Sequence, residues 1–160
     1  MVIRPTRIAL LAAVALAAPA TLAHARATDG TIARVAGTTA GYAGDGGPAT
    51  SAKINTPRDV AFLNDGSFVI ADFANDVIRR VTPGGIITTS AGTDRGLSGD
   101  GGHAEDAQLD RPRGVTRLDD GGYLIADTFN DRIRRVAPDD VITTVAGTTQ
   151  GSLGDGGPAT

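Results

Sequence analysis

The chain has 160 residues, 41% of them hydrophobic and only 4% aromatic, with 22 Gly, 8 Pro and neither Cys nor Trp. The lack of cysteine excludes disulfide scaffolds, thiolate metal sites and thiol nucleophiles, and two histidines are too few for a three-histidine metal centre. A formal net charge of −3 leaves no broad basic surface for nucleic acid or an anionic membrane.

The first 25 residues read as a cleaved secretory signal. Arg4 and Arg7 form a basic head, Ile8 to Ala18 is apolar, and Ala23-His24-Ala25 is a small-x-small cleavage site, so cleavage is expected after Ala25. The apolar run is too short for a comfortable membrane span and is broken by Pro19, and no later segment is apolar enough to cross a membrane. The expected address is therefore secreted, extracellular or cell envelope, with no membrane span in the mature chain. Processing removes two Arg and His24, leaving a charge of −5 and His103 as the one histidine.

Beyond the signal the chain repeats itself every 55 residues. Gly-Asp-Gly recurs at Gly44, Gly99 and Gly154, and the same offset relates Pro57-Arg58 to Pro112-Arg113 and Ile70-Ala71-Asp72 to Ile125-Ala126-Asp127. About half the positions of 31–85 recur in 86–140, without a gap. The units are 31–85, 86–140 and a partial third, 141–160. A fixed period of this length marks a repeat architecture in which each unit buries its faces against its neighbours.

Within a unit the reading is four short strands. Val60–Leu63 ends at the hairpin signal Asn64-Asp65-Gly66, Ser67–Asp72 follows, then the turn Phe73–Asp76, Val77–Val81, the turn Pro83-Gly84-Gly85, and Ile86–Ser90. The second unit repeats these strands at Gly114–Leu118, Gly122–Asp127, Arg132–Val136 and Val141–Val145, and a further outer strand is expected at Thr31–Ala36. Four antiparallel strands with apolar residues on both faces describe the blade of an all-β propeller.

Pro112 to Asp140, its copy from Pro57, and the connector from Ala146 to Thr160 together resemble the NHL-repeat propellers, in the long bacterial form similar to the teneurin-type repeat. The resemblance covers Thr31–Thr160. It implies a β-propeller of four-stranded antiparallel blades, usually six-bladed, that acts as an extracellular or regulatory interaction surface. About two blades with flanking strands cannot close a ring of roughly four to eight, so the sequence reads as an incomplete propeller, a piece of a longer one. Self-assembly of three chains would give six blades, but Thr31–Ala36 of one chain would then compete with Val141–Val145 of the next for one slot.

The connector carboxylates Asp45, Asp100 and Asp155 each stand alone between glycines, which is too few acids for a calcium loop, and they read as turn residues. Asp72 and Asp127 end the second strand of each unit, three residues before Asn75 and Asn130, and read as loop-fixing groups because a catalytic acid belongs to one unit rather than to all. Arg79, Arg80, Arg134 and Arg135 alternate across their strands, with Asp76 and Asp131 at hand for pairing. Arg58 and Arg113 precede the innermost strands. Two readings stand side by side: a cationic ring facing an anionic ligand, or braces for the connector carboxylates.

His103 stands where the other copies have Pro48 and Pro158, and reads as a solvated surface residue. No catalytic set, metal site or cofactor loop emerges from these residues. The expected function is a secreted, non-enzymatic scaffold for a protein, peptide or glycan ligand, without nucleic acid. The alternatives are a metal-dependent lactonase-like hydrolase, for which Asp59 is the one acid not repeated on an inner strand (the next unit has Gly114), or the extracellular sensor of a larger signalling receptor.

Overall fold

The computed structural model describes residues 32–148 and 158–159. The signal segment and Asp155 lie outside these residues. Among the described residues, eight strands form two four-stranded antiparallel sheets in simple sequential order. The first contains β1 (Pro57–Phe62), β2 (Phe68–Asp72), β3 (Val77–Val81) and β4 (Ile87–Ala91). The second contains β5 (Gly114–Arg117), β6 (Tyr123–Asp127), β7 (Arg132–Val136) and β8 (Ile142–Ala146). Each sheet takes three strands from one 55-residue unit and its fourth from the next.

The turns follow from their residues. At Asn64-Asp65-Gly66 the Leu63 N–H donates to Ser67 O at 2.8 Å, with Gly66 in the left-handed region at φ 81°. The Asp65 carboxylate closes this turn by accepting from Ser67 N at 3.0 Å and Ser67 Oγ at 2.6 Å. These two bonds, the side-chain one first, and the Arg80 guanidinium outweigh its slight desolvation and hold the Asp65 carboxyl down at about 2. Phe73–Asn75 and Thr128–Asn130 are single 3-10 turns, each ended by a left-handed aspartate, Asp76 or Asp131.

β1 starts three residues earlier than its apolar run suggests. Pro57 already pairs with Asp72, and a bulge before Val60 absorbs the irregularity. Proline is tolerated there because β1 is the first strand of the sheet and Pro57 its first residue. A larger correction concerns the expected strand at 31–36. Its described part, 32–36, is not strand, and Ile32 and Val35 are exposed. A strand needs a ladder partner, and β3 and β7 are already paired on both sides.

The core lies between the sheets. Val69, Ala71 and Ile78 of the first sheet meet Val115, Ile125, Val136 and Ile142 of the second, with Ala104, Ala107 and Leu109 of the connector wedged between them. The opposite face of the first sheet carries Ile70, Val81 and Ile87 under the preceding connector's Ala49 and Ala52. β2 and β3 are thus buried on both faces, which is why Phe68 to Ala71 run apolar without alternation, while β3 carries Arg79 and Arg80 among its apolar residues. In β4 the register skips Ser90 between the Ile78–Ala91 and Arg79–Thr89 pairs. That bulge frees the Ser90 hydroxyl to meet the buried Tyr123 hydroxyl at 2.8 Å, across the sheet interface. Burial is the main reason the Tyr123 phenol is pushed far up.

The connectors repeat the same contact. Gly37 N donates to Ala49 O, Gly92 N to Ala104 O and Gly147 N to Ala159 O, each at 2.9 Å. Gly99 shows how tightly the connector turns, since a Cβ there would lie 2.6 Å from the Ala107 Cα. Among the described residues no helix is long and apolar enough to cross a membrane.

Candidate functional site

The repeated charged residues form one linked network per sheet. Asp72 is fully buried and accepts from Asn55 N at 2.7 Å and Asn75 Nδ2 at 2.8 Å, with Arg79 Nη1 3.5 Å away. Asp127 does the same with Asp110 N at 2.8 Å, Asn130 Nδ2 at 2.8 Å and Arg134 Nη1 at 3.5 Å. Burial is the largest influence on both carboxyls and raises them above the ordinary range, against the pull of these donors.

Arg79 and Arg134 are fully buried, and each reaches from its inner aspartate to a connector carboxylate: Arg79 to Asp45, and Arg134 to Asp100 at 2.7 Å. Asp45 also accepts from Thr89 N at 3.0 Å and Thr89 Oγ1 at 2.7 Å, so it ties the connector to β4. Arg80 and Arg135 point to the other face, onto the hairpin acids Asp65 and Asp120. The expected pairing with Asp76 and Asp131 is thereby corrected. Each of those aspartates caps a turn in the left-handed region, and Asp76 faces away, accepting from Arg111 N at 2.8 Å with Arg95 Nε 3.7 Å distant.

Arg58 and Arg113 do something different. The connector carboxylates Asp45 and Asp100 are held by Arg79 and Arg134, so bracing by Arg58 and Arg113 is not what the geometry contains. Instead both lie over aromatic rings at one end of the sheets, where β1 and β5 begin side by side. The Arg58 guanidinium carbon sits 4.8 Å from the Phe73 ring centroid, and that of Arg113 is 5.5 Å from Phe73 and 5.7 Å from Phe129. A third guanidinium, Arg111, is 4.7 Å from Phe129 and 5.9 Å from Phe73. The two rings meet edge to face with centroids 6.4 Å apart.

The local backbone explains the convergence. Both rings ride on the 3-10 turns that follow β2 and β6. Arg113 N donates to Ala126 O at 3.1 Å, which extends β5 backward and sends the side chain toward the turns. Arg111 has φ 50°, a left-handed conformation held by its N–H bond to Asp76. Each exposed cation–π contact is worth about 0.5–1 kcal/mol, which biases a long side chain toward the rings without neutralising its charge. Among the described residues, none of the three guanidiniums has a carboxylate partner.

Arg111, Phe73 and Phe129 escape a reading based on what repeats. Their counterparts one unit away are Thr56, Thr128 and Ala74, so the signal that finds them is departure from the period. Asp59 departs too. Its carboxylate accepts from Val60 N at 2.8 Å and from Val115 N at 2.9 Å, which ties β1 to β5. His103 is exposed and its backbone bridges to Val141. Among the described residues no group of three or more His, Asp or Glu is arranged to hold a metal ion.

Similar solved structures agree with this architecture. An auxiliary nutrient binding protein from Bacteroides thetaiotaomicron is 26% identical at a TM-score of 0.53, over 69% of this chain and 28% of that one. A candidate phosphatase from the same organism is 25% identical at a TM-score of 0.53, over 71% and 26%. A protein of unknown function from that organism is 27% identical at a TM-score of 0.50, over 55% and 22%. The neighbours are propeller proteins. The chain is an incomplete β-propeller. Its two sheets are blades, and it spans about a quarter of the length of these structures. No protein-family model and no curated protein matches it.

Proposed function

We propose that the chain is a segment of a secreted, NHL-type propeller that works as a non-enzymatic binding scaffold, with Arg58, Arg111, Arg113, Phe73 and Phe129 facing the ligand. The observation that carries this reading is the contrast between two kinds of arginine. Arg79 and Arg134 are buried and each is ion-paired to two carboxylates within the blades, whereas the cluster at the end of β1 and β5 is more accessible and without carboxylate partners among the described residues. Residues that break a structural period at one place are free of the demands of stacking. A similar structure named as a nutrient binding protein is consistent with ligand capture.

The lactonase-like alternative leaned on Asp59, whose two oxygens already receive backbone N–H groups. Units 31–85, 86–140 and 141–160, the signal at 1–25 and the receptor-sensor alternative belong to the whole protein's organisation. Export is tested by N-terminal sequencing of secreted material, which should begin at Arg26. Binding is tested with glycan and peptide arrays. The wild-type chain should retain a defined set of ligands that Arg58→Ala/Arg113→Ala loses, and the retained ligands should be recovered with unchanged mass. Chemical conversion of a ligand, or retention indifferent to both arginines, would overturn the scaffold reading.

A further inference from the structure

We propose that the Arg58–Arg111–Arg113 cluster on the Phe73–Phe129 pair is a binding site for a small multivalent oxyanion, a polycarboxylate or a polyphosphate. The inference rests on the scaffold reading above and names the ligand chemistry of the same site.

The argument is one of local charge balance. All three guanidinium carbons lie within 5.9 Å of the Phe73 centroid, so three positive charges share one small patch of a chain whose overall charge is negative. Four carboxylates nearby are each occupied elsewhere. Asp59 accepts from Val60 N and Val115 N, Asp72 from Asn55 N and Asn75, Asp76 from Arg111 N, and Asp110 lies 3.3 Å from Arg95 Nε. The blades therefore leave three cations without a carboxylate partner among the described residues, at a place where Arg111, Phe73 and Phe129 depart from the repeat.

Geometry selects the class of anion. A guanidinium held by a ring rather than by a carboxylate has N–H donors left to give, and their fork matches the paired oxygens of a carboxylate or phosphate. Three such edges suit an anion with several charged groups better than a monovalent one. Arg111 is preorganised by its backbone bond to Asp76, which lowers the ordering cost of binding. Phe129 is 49% exposed and offers apolar surface to the ligand's body beside the charges.

The test is calorimetric titration of the full chain with citrate and, separately, with inorganic pyrophosphate, at about 0.01 M and about 0.15 M ionic strength, where the screening lengths differ about fourfold. At least one probe should saturate a single site below about 1 mM at the lower ionic strength. Binding should weaken with salt and fall by about tenfold in Arg113→Gln, the loss expected for a charged hydrogen bond. Arg58→Gln/Arg113→Gln should abolish it. Arg117→Gln, which removes an equal charge from the far end of β5, should bind as wild type does, with circular dichroism verifying that every variant is folded. Saturation by citrate alone assigns a carboxylate ligand, and by pyrophosphate alone a phosphate ligand. Failure of both probes, or equal weakening in Arg117→Gln, overturns the oxyanion site. If the arrays still find neutral ligands that require Arg58 and Arg113, the scaffold reading stands while this one falls.

Discussion

Phe73 and Phe129 pack edge to face, 74° between ring planes, although they stand one position out of step in the 55-residue repeat. Each ring comes from the 3-10 turn of a different blade, and each is replaced in the other blade by a residue without a ring. The contact therefore belongs to the pair of blades rather than to either one. It supplies the floor for three arginines, two of which repeat and one of which does not.

The buried arginines should be far more costly to remove than those of the cluster. Arg79→Met strips the guanidinium from Asp72, which is itself fully buried, and should destabilise the chain by about 3–5 kcal/mol, the cost of a buried charge left without its partner. Urea denaturation of this variant beside Arg58→Met measures the difference. A loss below about 1 kcal/mol for Arg79→Met would mean that Asp72 is satisfied by Asn55 and Asn75 without it.

Two glycines of one connector turn should respond unequally to alanine. Both have positive φ, 92° at Gly99 and 83° at Gly101, but a Cβ at Gly99 meets the Ala107 backbone while one at Gly101 meets nothing within 4 Å. Gly101→Ala should cost about 1–2 kcal/mol, the left-handed penalty alone. Gly99→Ala adds a clash with backbone and should cost about 3 kcal/mol or more. Equal thermal shifts for the two would show that the connector is not pressed against Ala107.

Asp65 should set part of the acid limb of stability. Its folded carboxyl, at about 2, lies below the ordinary 3.8, so its contribution is fully present above the latter and is lost as pH falls through the former. Asp65→Asn should flatten the melting-temperature profile within that window and leave it unchanged in shape above. An unaltered acid limb would place the responsible carboxylates elsewhere.

Asp59 joins β1 to β5 through the Val115 N–H. Asp59→Ala should cost about 1–2 kcal/mol and should raise the hydrogen-exchange rate of the Val115 amide selectively. Unchanged protection of that amide would show that the blades hold together at this point without the carboxylate.

How far each level reaches can be traced residue by residue. The period, the second and third strands of each blade and the hairpins at Asn64-Asp65-Gly66 and Pro83-Gly84-Gly85 are legible in the chain because they depend on local chemistry: β-branched runs, glycine at positive φ, proline in turns. The expected strand at 31–36 is not seen in its described part because strand character is a property of pairing, and residues 32–36 join neither sheet.

Which acid holds which arginine was equally beyond local reading. Asp76 is near Arg79 in sequence, yet its left-handed backbone turns it toward Arg111, while Asp45, 34 residues away, closes on Arg79. By itself the sequence determined the repeating unit, its all-β character and the positions where the repeat is broken. Only the tertiary structure decided that three of those positions, Arg111, Phe73 and Phe129, converge with Arg58 and Arg113 on one surface. The reason is physical: periodicity reports what every blade needs in order to stack, whereas a site is a juxtaposition across blades, and it depends on distances that exist only once the sheets have packed.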